Sequence, residues 1–285
     1  MIKFIKYLIQ SIFIYLFFII GRLIGLDLSR KIFSKIFLSF GSLFRSNKII
    51  KKNLEIFSQN ISENRKNEII SNMWRNYGKT FIEYGFLNYF RKNNHHIELK
   101  GLDVLENIIK RKKPAIFISG HFANFELMSM EITKNKIKLA TIYRPLNNFF
   151  LNPFMEYLRK KYVCKNQIKK GLPGVKEAIE YIKNRYSIAL MIDQRVSEGE
   201  RVKFFNSNAL TTTLPGQLAL KYNLNLVPIF IERKSDNSFK MKVFNPINHT
   251  DFKNKFEITE KLNQVIEEMI IKNPNQWIWT HDRWK

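Results

Sequence analysis

The sequence predicts an α/β protein with a mostly parallel central sheet flanked by helices. A membrane-anchoring helix and a helical N-terminal region precede the sheet. Three observations carry this reading. From residue 96 onward, short apolar runs alternate with amphipathic stretches of helical period, the pattern of strands joined by crossover helices. Residues Phe4–Leu26 are dominated by Phe, Ile, Leu and Tyr. Between these two parts, residues 62–92 repeat large apolar side chains at three- and four-residue spacing. The chain divides accordingly into an anchor (1–26), a helical, partly membrane-interfacial region (27–95) and an α/β domain (96–285).

The anchor comes first. Between Leu8 and Gly21 only Gln10 and Ser11 are polar, and roughly 20 apolar residues suffice to cross a bilayer. A cleaved signal peptide would need a small-residue cleavage site after the apolar core. Gly21-Arg22-Leu23-Ile24-Gly25 is a poor one. Lys3 and Lys6 precede the apolar core, whereas Arg22, Arg30, Lys31 and Lys35 follow it. The excess of positive charge on the following side assigns the body of the protein to the cytoplasm. Residues 28–45 then set Leu28, Ile32, Ile36, Phe40 and Leu43 on one stripe, with basic residues elsewhere. That is the pattern of an interfacial helix, or of an ordinary core helix.

The segment 62–92 opens on Ser62 as a cap. Its stripe Met73, Trp74, Tyr77, Phe81, Tyr84, Leu87 reads as core. The α/β part follows with strands at Ile97–Lys100, Pro114–Ser119, Ile137–Tyr143, Ser187–Ile192, Asn225–Glu232 and Phe239–Phe244. Helices are expected at Val104–Lys112, about 124–134, 149–162, 173–185, 214–223 and 253–272. Pro215 suits the first turn of its helix. There is neither a GxGxxG nor a GxxxxGK[ST] segment, so no nucleotide-binding fingerprint.

Composition narrows the partners. With 48 Lys+Arg against 24 Asp+Glu the formal charge is +24, which suits nucleic acid, an anionic membrane, or an acidic substrate or carrier. The basic residues are dispersed with no Lys/Arg-rich run, which argues against nucleic acid. Part of the excess is compositional, since the chain is rich in Lys, Asn, Ile and Phe throughout. The single cysteine, Cys164, excludes an internal disulfide and cysteine-rich zinc motifs.

The chemistry points to Ser119-Gly120-His121-Phe122-Ala123-Asn124-Phe125-Glu126. His121 and Glu126 stand where an apolar strand ends, the usual place for sites in open α/β sheets. Five residues apart, they would not share a helix face. They meet only if the chain turns between them, and Gly120 and Ala123 allow a turn. A neutral histidine beside a carboxylate is a good general base for deprotonating a hydroxyl. By spacing alone, a buried histidine with a capping glutamate is the plain alternative.

The stretch Gly120–Glu126 resembles the glycine-His-Phe-Gly-Asn-Trp-Glu signature of the lipid A late acyltransferases, part of the wider lysophospholipid acyltransferase superfamily. Ala123 and Phe125 replace Gly and Trp. The resemblance continues through Tyr143-Arg144-Pro145-Leu146 with Asn152-Pro153 and Arg159, then Asp193-Gln194. It goes on through Phe204-Phe205 with Asn206 in a glycine position, Thr211-Thr212-Thr213-Leu214-Pro215, and Pro228-Ile229-Phe230. It ends in Gln276–Lys285, so it covers nearly the whole chain.

The resemblance implies transfer of a fatty acyl chain from acyl carrier protein to a hydroxyl of a lipid A precursor in lipopolysaccharide biosynthesis. The site would lie at the cytoplasmic face of a bacterial inner membrane, held by a single-pass anchor. It makes His121 the general base and Glu126 its orienting partner. Arg144 and Arg159 become candidates for anionic groups of the acceptor, and Asp193 and Gln194 candidates for lining the site. For either arginine a surface ion pair is the alternative. No metal and no cofactor is expected beyond the acyl carrier thioester. Neither Ser119 nor Cys164 has a sequence-adjacent base, which favours direct transfer without an acyl-enzyme. Two readings compete: acylation of a lysophospholipid or other glycolipid, and a non-enzymatic, membrane-anchored basic lipid-binding protein.

Overall fold

The computed structural model describes residues 2–44 and 47–285. Met1 and Arg45, at the outer ends of the expected anchor and interfacial stretch, lie outside the described residues. The chain opens with α1 (Ile2–Ile24), α2 (Leu26–Phe44), α3 (Asn47–Phe57) and α4 (Glu63–Glu83). A 3-10 turn, Tyr84–Phe86, then leads into α5 (Leu87–Lys92). Ser62 caps α4 as expected, accepting a hydrogen bond from the backbone N–H of Arg65. α2 packs along α4, and the contact is close because it uses small residues. A side chain at Gly78 would collide with the Phe33 carbonyl, and one at Gly41 with the Trp74 ring. The opposite face of α2 exposes Leu28, Ile32, Phe40 and Leu43, the apolar stripe expected from the sequence. Arg30 departs from its expected place among exposed basic residues: it is buried against Glu83.

The α/β part runs β1 (Ile97–Lys100), α6 (Leu102–Arg111), β2 (Ile116–Ser119), α7 (Glu126–Lys134) and β3 (Leu139–Tyr143). Next come α8 (Asn152–Leu158), which passes into a π-helical turn at Arg159–Val163, then β4 (Asn166–Lys169), α9 (Leu172–Lys183) and β5 (Ser187–Met191). A hairpin of β6 (Glu200–Phe204) and β7 (Ser207–Thr211) follows, then α10 (Leu214–Tyr222), β8 (Leu226–Arg233), β9 (Phe239–Val243) and α11 (Lys255–Lys272). Single turns of 3-10 helix lie at His249–Asp251 and Pro274–Gln276.

Seven strands form one sheet in the order β1-β9-β8-β2-β5-β3-β4. Every neighbouring pair is parallel except β8 and β9, so the sheet is mostly parallel as predicted. β2 is buried at all four positions and reads as a continuous apolar run, as a strand covered on both faces should. The β6–β7 hairpin stands apart from the sheet. Its turn puts Phe205 (φ 50°) and Asn206 (φ 58°) in the left-handed region, which asparagine tolerates better than most residues.

The strand order creates a crevice. The connection from β2 runs past β5 to β3, whereas the next sheet strand after β5 is β8, on the other side of β2. Right-handed crossovers in opposite directions leave from opposite faces of the sheet. The carboxyl ends of β2 and β5, side by side, therefore flank a topological switch point, where open α/β sheets bind ligands.

Candidate active site

β2 and β5 end in register, Ser119 opposite Met191, and the Ile192 N–H donates to the Ser119 carbonyl at 3.0 Å. Two residues past that pairing on each side stand His121 and Asp193. The imidazole Nδ1 of His121 lies 2.7 Å from Oδ1 of Asp193. The Asp193 Oδ2 accepts the His121 backbone N–H at 2.7 Å and the Trp277 indole N–H at 2.8 Å. Asp193 is fully buried, which by itself opposes ionisation most strongly. The charge and hydrogen bonds of His121, with the indole N–H, outweigh burial and hold the carboxyl below its ordinary range. An ionised carboxylate only accepts hydrogen bonds, so the proton of the neutral ring sits on Nδ1. The other nitrogen, Nε2, makes no hydrogen bond among the described residues and is free to take a proton. The His121 side chain retains 18% of its exposure, so the ring is reachable from outside.

The turn that presents the ring is tightly built. A side chain at Gly120 would stand 2.8 Å from the Phe122 ring and 3.2 Å from the Asp193 carboxyl carbon, so only glycine fits. Ala123 sits in the left-handed region at φ 44°. Its N–H donates to the Gln276 carbonyl, and its own carbonyl accepts from the Thr80 hydroxyl at 3.0 Å. Asn124 donates to Oε2 of Glu83 at 3.0 Å. Phe125 packs edge-on against the His121 ring, with centroids 4.7 Å apart.

The carboxylate that binds His121 is thus Asp193 and not Glu126, which corrects the pairing expected from the H-x4-E spacing. Glu126 opens α7, where the helix dipole favours a negative charge. Its Oε1 accepts from Nε and Nη2 of Arg159, at 2.8 and 2.6 Å, and from the Tyr84 hydroxyl at 2.7 Å. The physical reason is the turn itself: with Ala123 in the left-handed region, the chain carries Glu126 into the helix and toward the π-helical turn that bears Arg159. Burial lowers the affinity of Arg159 for its proton, but Glu126 and Tyr84 more than reverse this and raise it above the ordinary arginine range. Burial first, and Glu126 second, push the Tyr84 hydroxyl well up. Arg159 also lies over the Tyr143 ring at 5.6 Å.

The remaining candidates are less engaged. Arg144 is exposed and makes no ion pair or hydrogen bond among the described residues. Gln194 follows Asp193 half-buried. Cys164 is buried near the start of β3, its Sγ 3.2 Å from the Leu139 carbonyl, and burial pushes its thiol up. Ser119 is fully buried, and among the described residues its hydroxyl reaches only the Gly120 carbonyl.

Beneath the turn lies a cluster that sequence reasoning did not single out. Glu83 is fully buried and accepts from Nε of Arg30 at 2.7 Å, from both terminal nitrogens of Arg233, and from Asn124. Arg233 also bonds Asn76 and Thr80, each at 3.1 Å. A signal was present: Asn76, Thr80 and Glu83 recur at i, i+4 and i+7 beside the apolar stripe of α4, and polar groups at core-facing positions need partners. Trp277 belongs to the stretch Gln276–Lys285 that ends the resemblance, but nothing in the sequence signals its hydrogen bond to Asp193. Arg283 is fully buried over the Phe204 ring and donates to the Leu210 carbonyl and the Thr211 hydroxyl. It closes the tail onto the hairpin.

A buried carboxylate orienting a histidine at a switch point suits proton transfer from a hydroxyl, and the relatives of this chain have matching names. Residues 2–285 match the family of bacterial lipid A biosynthesis acyltransferases. A lipid A biosynthesis acyltransferase of Haemophilus influenzae is 25% identical over 245 residues, 83% of this chain and 76% of that protein. The lipid A biosynthesis lauroyltransferase of Escherichia coli is 23% identical, with 85% of this chain and 79% of that protein covered. The palmitoleoyltransferase of the same organism is 24% identical, with 85% and 80% covered. Among solved structures, a 1-acyl-sn-glycerophosphate acyltransferase from Thermotoga maritima superposes with a TM-score of 0.42 at 13% identity. That superposition covers 87% of this chain and 99% of the other, a likeness too loose to bear on the site. With its whole described length matched, the chain belongs to the bacterial lipid A biosynthesis acyltransferase family.

Proposed function

We propose that this chain moves a fatty acyl chain from an acyl carrier protein thioester directly to a hydroxyl of a lipid A precursor, at the cytoplasmic face of the inner membrane. The observation that carries the mechanism is the His121–Asp193 pair, with Nδ1 fixed and Nε2 open. Nε2 takes the proton as the acceptor oxygen attacks the thioester carbonyl. The imidazolium is stabilised by the Asp193 carboxylate behind it. The tetrahedral adduct collapses with loss of the thiolate, and the proton on Nε2 passes to the sulfur. One ester bond forms, one thioester bond breaks, and the histidine is restored. A thioester is activated enough that no metal or redox cofactor is called for.

Direct transfer is favoured over an acyl-enzyme by the state of the two candidate nucleophiles. The Cys164 thiol is buried and pushed up, and the Ser119 hydroxyl is fully buried with no base beside it. Glu126 serves as a positioning residue that holds Arg159. Arg144, exposed and unpaired among the described residues, is suited to a phosphate of the acceptor, and Gln194, beside Asp193, is suited to a polar contact with it. The charge of +24 favours encounter with an acidic carrier protein and an anionic lipid surface.

The test is transfer from a panel of acyl-carrier thioesters to a defined lipid A precursor, with product mass and position read out. We expect one added acyl ester with the unmodified chain. With His121→Ala we expect no product above background, while the chain still folds and associates with membranes, at some loss of stability because the buried Asp193 loses its ring partner. Full transfer by that variant would remove the assignment of the base. Transfer only to a lysophospholipid would redirect the acceptor.

A further inference from the structure

Ala123 is held at both of its backbone groups. It stands just past His121 with φ 44°, a conformation that strains most residues other than glycine. Its N–H donates to the Gln276 carbonyl at 3.2 Å, and its carbonyl accepts from the Thr80 hydroxyl at 3.0 Å. These supports come from the turn after α11 and from α4, parts of the chain distant in sequence.

One residue joins them. Arg233 closes β8, and the side-chain amide of Gln276 clasps its backbone: Oε1 accepts the Arg233 N–H and Nε2 donates to the Arg233 carbonyl, each at 2.8 Å. At the other end of the same residue, Nη2 donates to the Thr80 hydroxyl at 3.1 Å. A hydroxyl has one hydrogen, and a guanidinium accepts none. Thr80 therefore accepts from Arg233, which leaves its own hydrogen for the Ala123 carbonyl. The contacts close a circuit from Ala123 through Gln276, Arg233 and Thr80 back to Ala123. A branch reaches the next residue, because Arg233 bonds Glu83, whose Oε2 accepts from the Asn124 amide at 3.0 Å.

Charge balance alone does not call for this arrangement. A buried arginine needs a counter-ion, and Glu83 supplies it. The remaining contacts spend Nε on Asn76 at 3.1 Å and Nη2 on Thr80, while the guanidinium lies over the Phe239 ring at 4.7 Å. With its fork filled and one face covered, the side chain is held in a single orientation. Lysine would keep the charge but not the fork. A strained residue persists only where its surroundings over-determine it, and both supports of Ala123 lead to Arg233.

We infer that Arg233 is a positioning residue for the His121 base. Through Thr80, Gln276 and Glu83 it fixes the backbone from which the ring hangs, whereas Asp193 fixes the ring itself. The inference rests on the reading of His121 as the base. It predicts a separation of effects: loosening the circuit misplaces the ring without altering its proton chemistry, since the contacts to Asp193 are untouched.

Thr80→Val in the full-length chain carries the test, because it keeps the shape of the side chain and leaves the Arg233–Glu83 pair in place. Acyl transfer kinetics and backbone hydrogen exchange, read peptide by peptide, are compared with those of the unmodified chain. The kcat is expected to fall by about tenfold to a hundredfold, the effect of a small misplacement, with KM for the acyl donor and the midpoint of the pH–rate profile unchanged. Exchange in the segment 120–126 should speed up by about tenfold, while β5 and α11 exchange as before. Thr80→Ser restores the hydroxyl and should restore both readouts. Arg233→Lys should resemble Thr80→Val. An unchanged kcat in Thr80→Val or Arg233→Lys would overturn the inference. So would faster exchange spread evenly over the chain, which is the mark of a purely structural role, or a shifted pH midpoint. Hydrogen exchange needs no acyl transfer, and the assignment of the base stands or falls with His121→Ala, so a wrong circuit and a wrong base give different results.

Discussion

Asp193 grips His121 at two points, with Oδ1 2.7 Å from the ring nitrogen Nδ1 and Oδ2 2.7 Å from the backbone nitrogen. One carboxylate therefore fixes both where the residue sits and which way its ring turns. The same Oδ2 is braced by the Trp277 indole, so the C-terminal tail takes part in positioning the base.

Replacing that carboxylate by an amide should be severe. Asp193→Asn can present an N–H to Nδ1, which favours the wrong ring tautomer and leaves a protonated ring without its counter-charge. The transfer rate is expected to fall roughly a thousandfold or more, as in other His–Asp pairs. The pH profile of the residual rate should shift with it, and steady-state kinetics across pH would read both. An unchanged profile would leave Asp193 a packing role only.

Glu126→Gln should behave differently. It leaves Arg159 buried without its carboxylate, and breaking a buried pair costs on the order of 3–5 kcal/mol. The main loss is expected in unfolding free energy and in acceptor KM, with the shape of the pH–rate profile retained. A profile altered as strongly as by Asp193→Asn would restore Glu126 to the side of His121.

Acid should loosen the base of the site. Burial is the largest single influence on Glu83 and opposes its charge, but Arg233 and Arg30 outweigh it, so its folded pKa lies below the ordinary glutamate value. Asp193 is lowered in the same sense. A depressed folded pKa means that the unfolded chain takes up protons first. The stability from these two groups is therefore complete above the ordinary carboxylate range. It is lost as pH falls through that range toward the folded values. Thermal unfolding from pH 7 down to 3 should show this loss, and Glu83→Gln should remove part of the pH dependence while lowering stability at pH 7.

Ala123→Gly tests the strain in the turn. A non-glycine residue at φ 44° is penalised by roughly 1–2 kcal/mol, against roughly 0.5–1 kcal/mol of extra chain entropy lost by glycine. The variant should be neutral to slightly more stable in denaturant unfolding, with transfer activity retained. A clear destabilisation would mean that the alanine methyl packs productively.

Elements with local signals are legible in the sequence. The strands at β2, β5 and β8 are apolar runs, the stripe of α4 is read from spacing, and the apolar face of α2 emerges from five residues. The motif around His121 likewise marks its own strand end. Weakly signalled elements escaped. β4 is an edge strand with only Ile168 fully buried, so it carries no apolar run. The β6–β7 hairpin alternates around exposed charges outside the main sheet.

Which side chains meet is set by the packed fold. Glu126 is five residues from His121, yet Asp193, 72 residues away, holds the ring, because β2 and β5 are sheet neighbours and end at the same level. Glu83 joins Arg30, Arg233 and Asn124 from three other segments. Periodicity and composition record the environment each residue needs, whereas pairing is set by strand order and crossover direction, which a linear spacing does not carry.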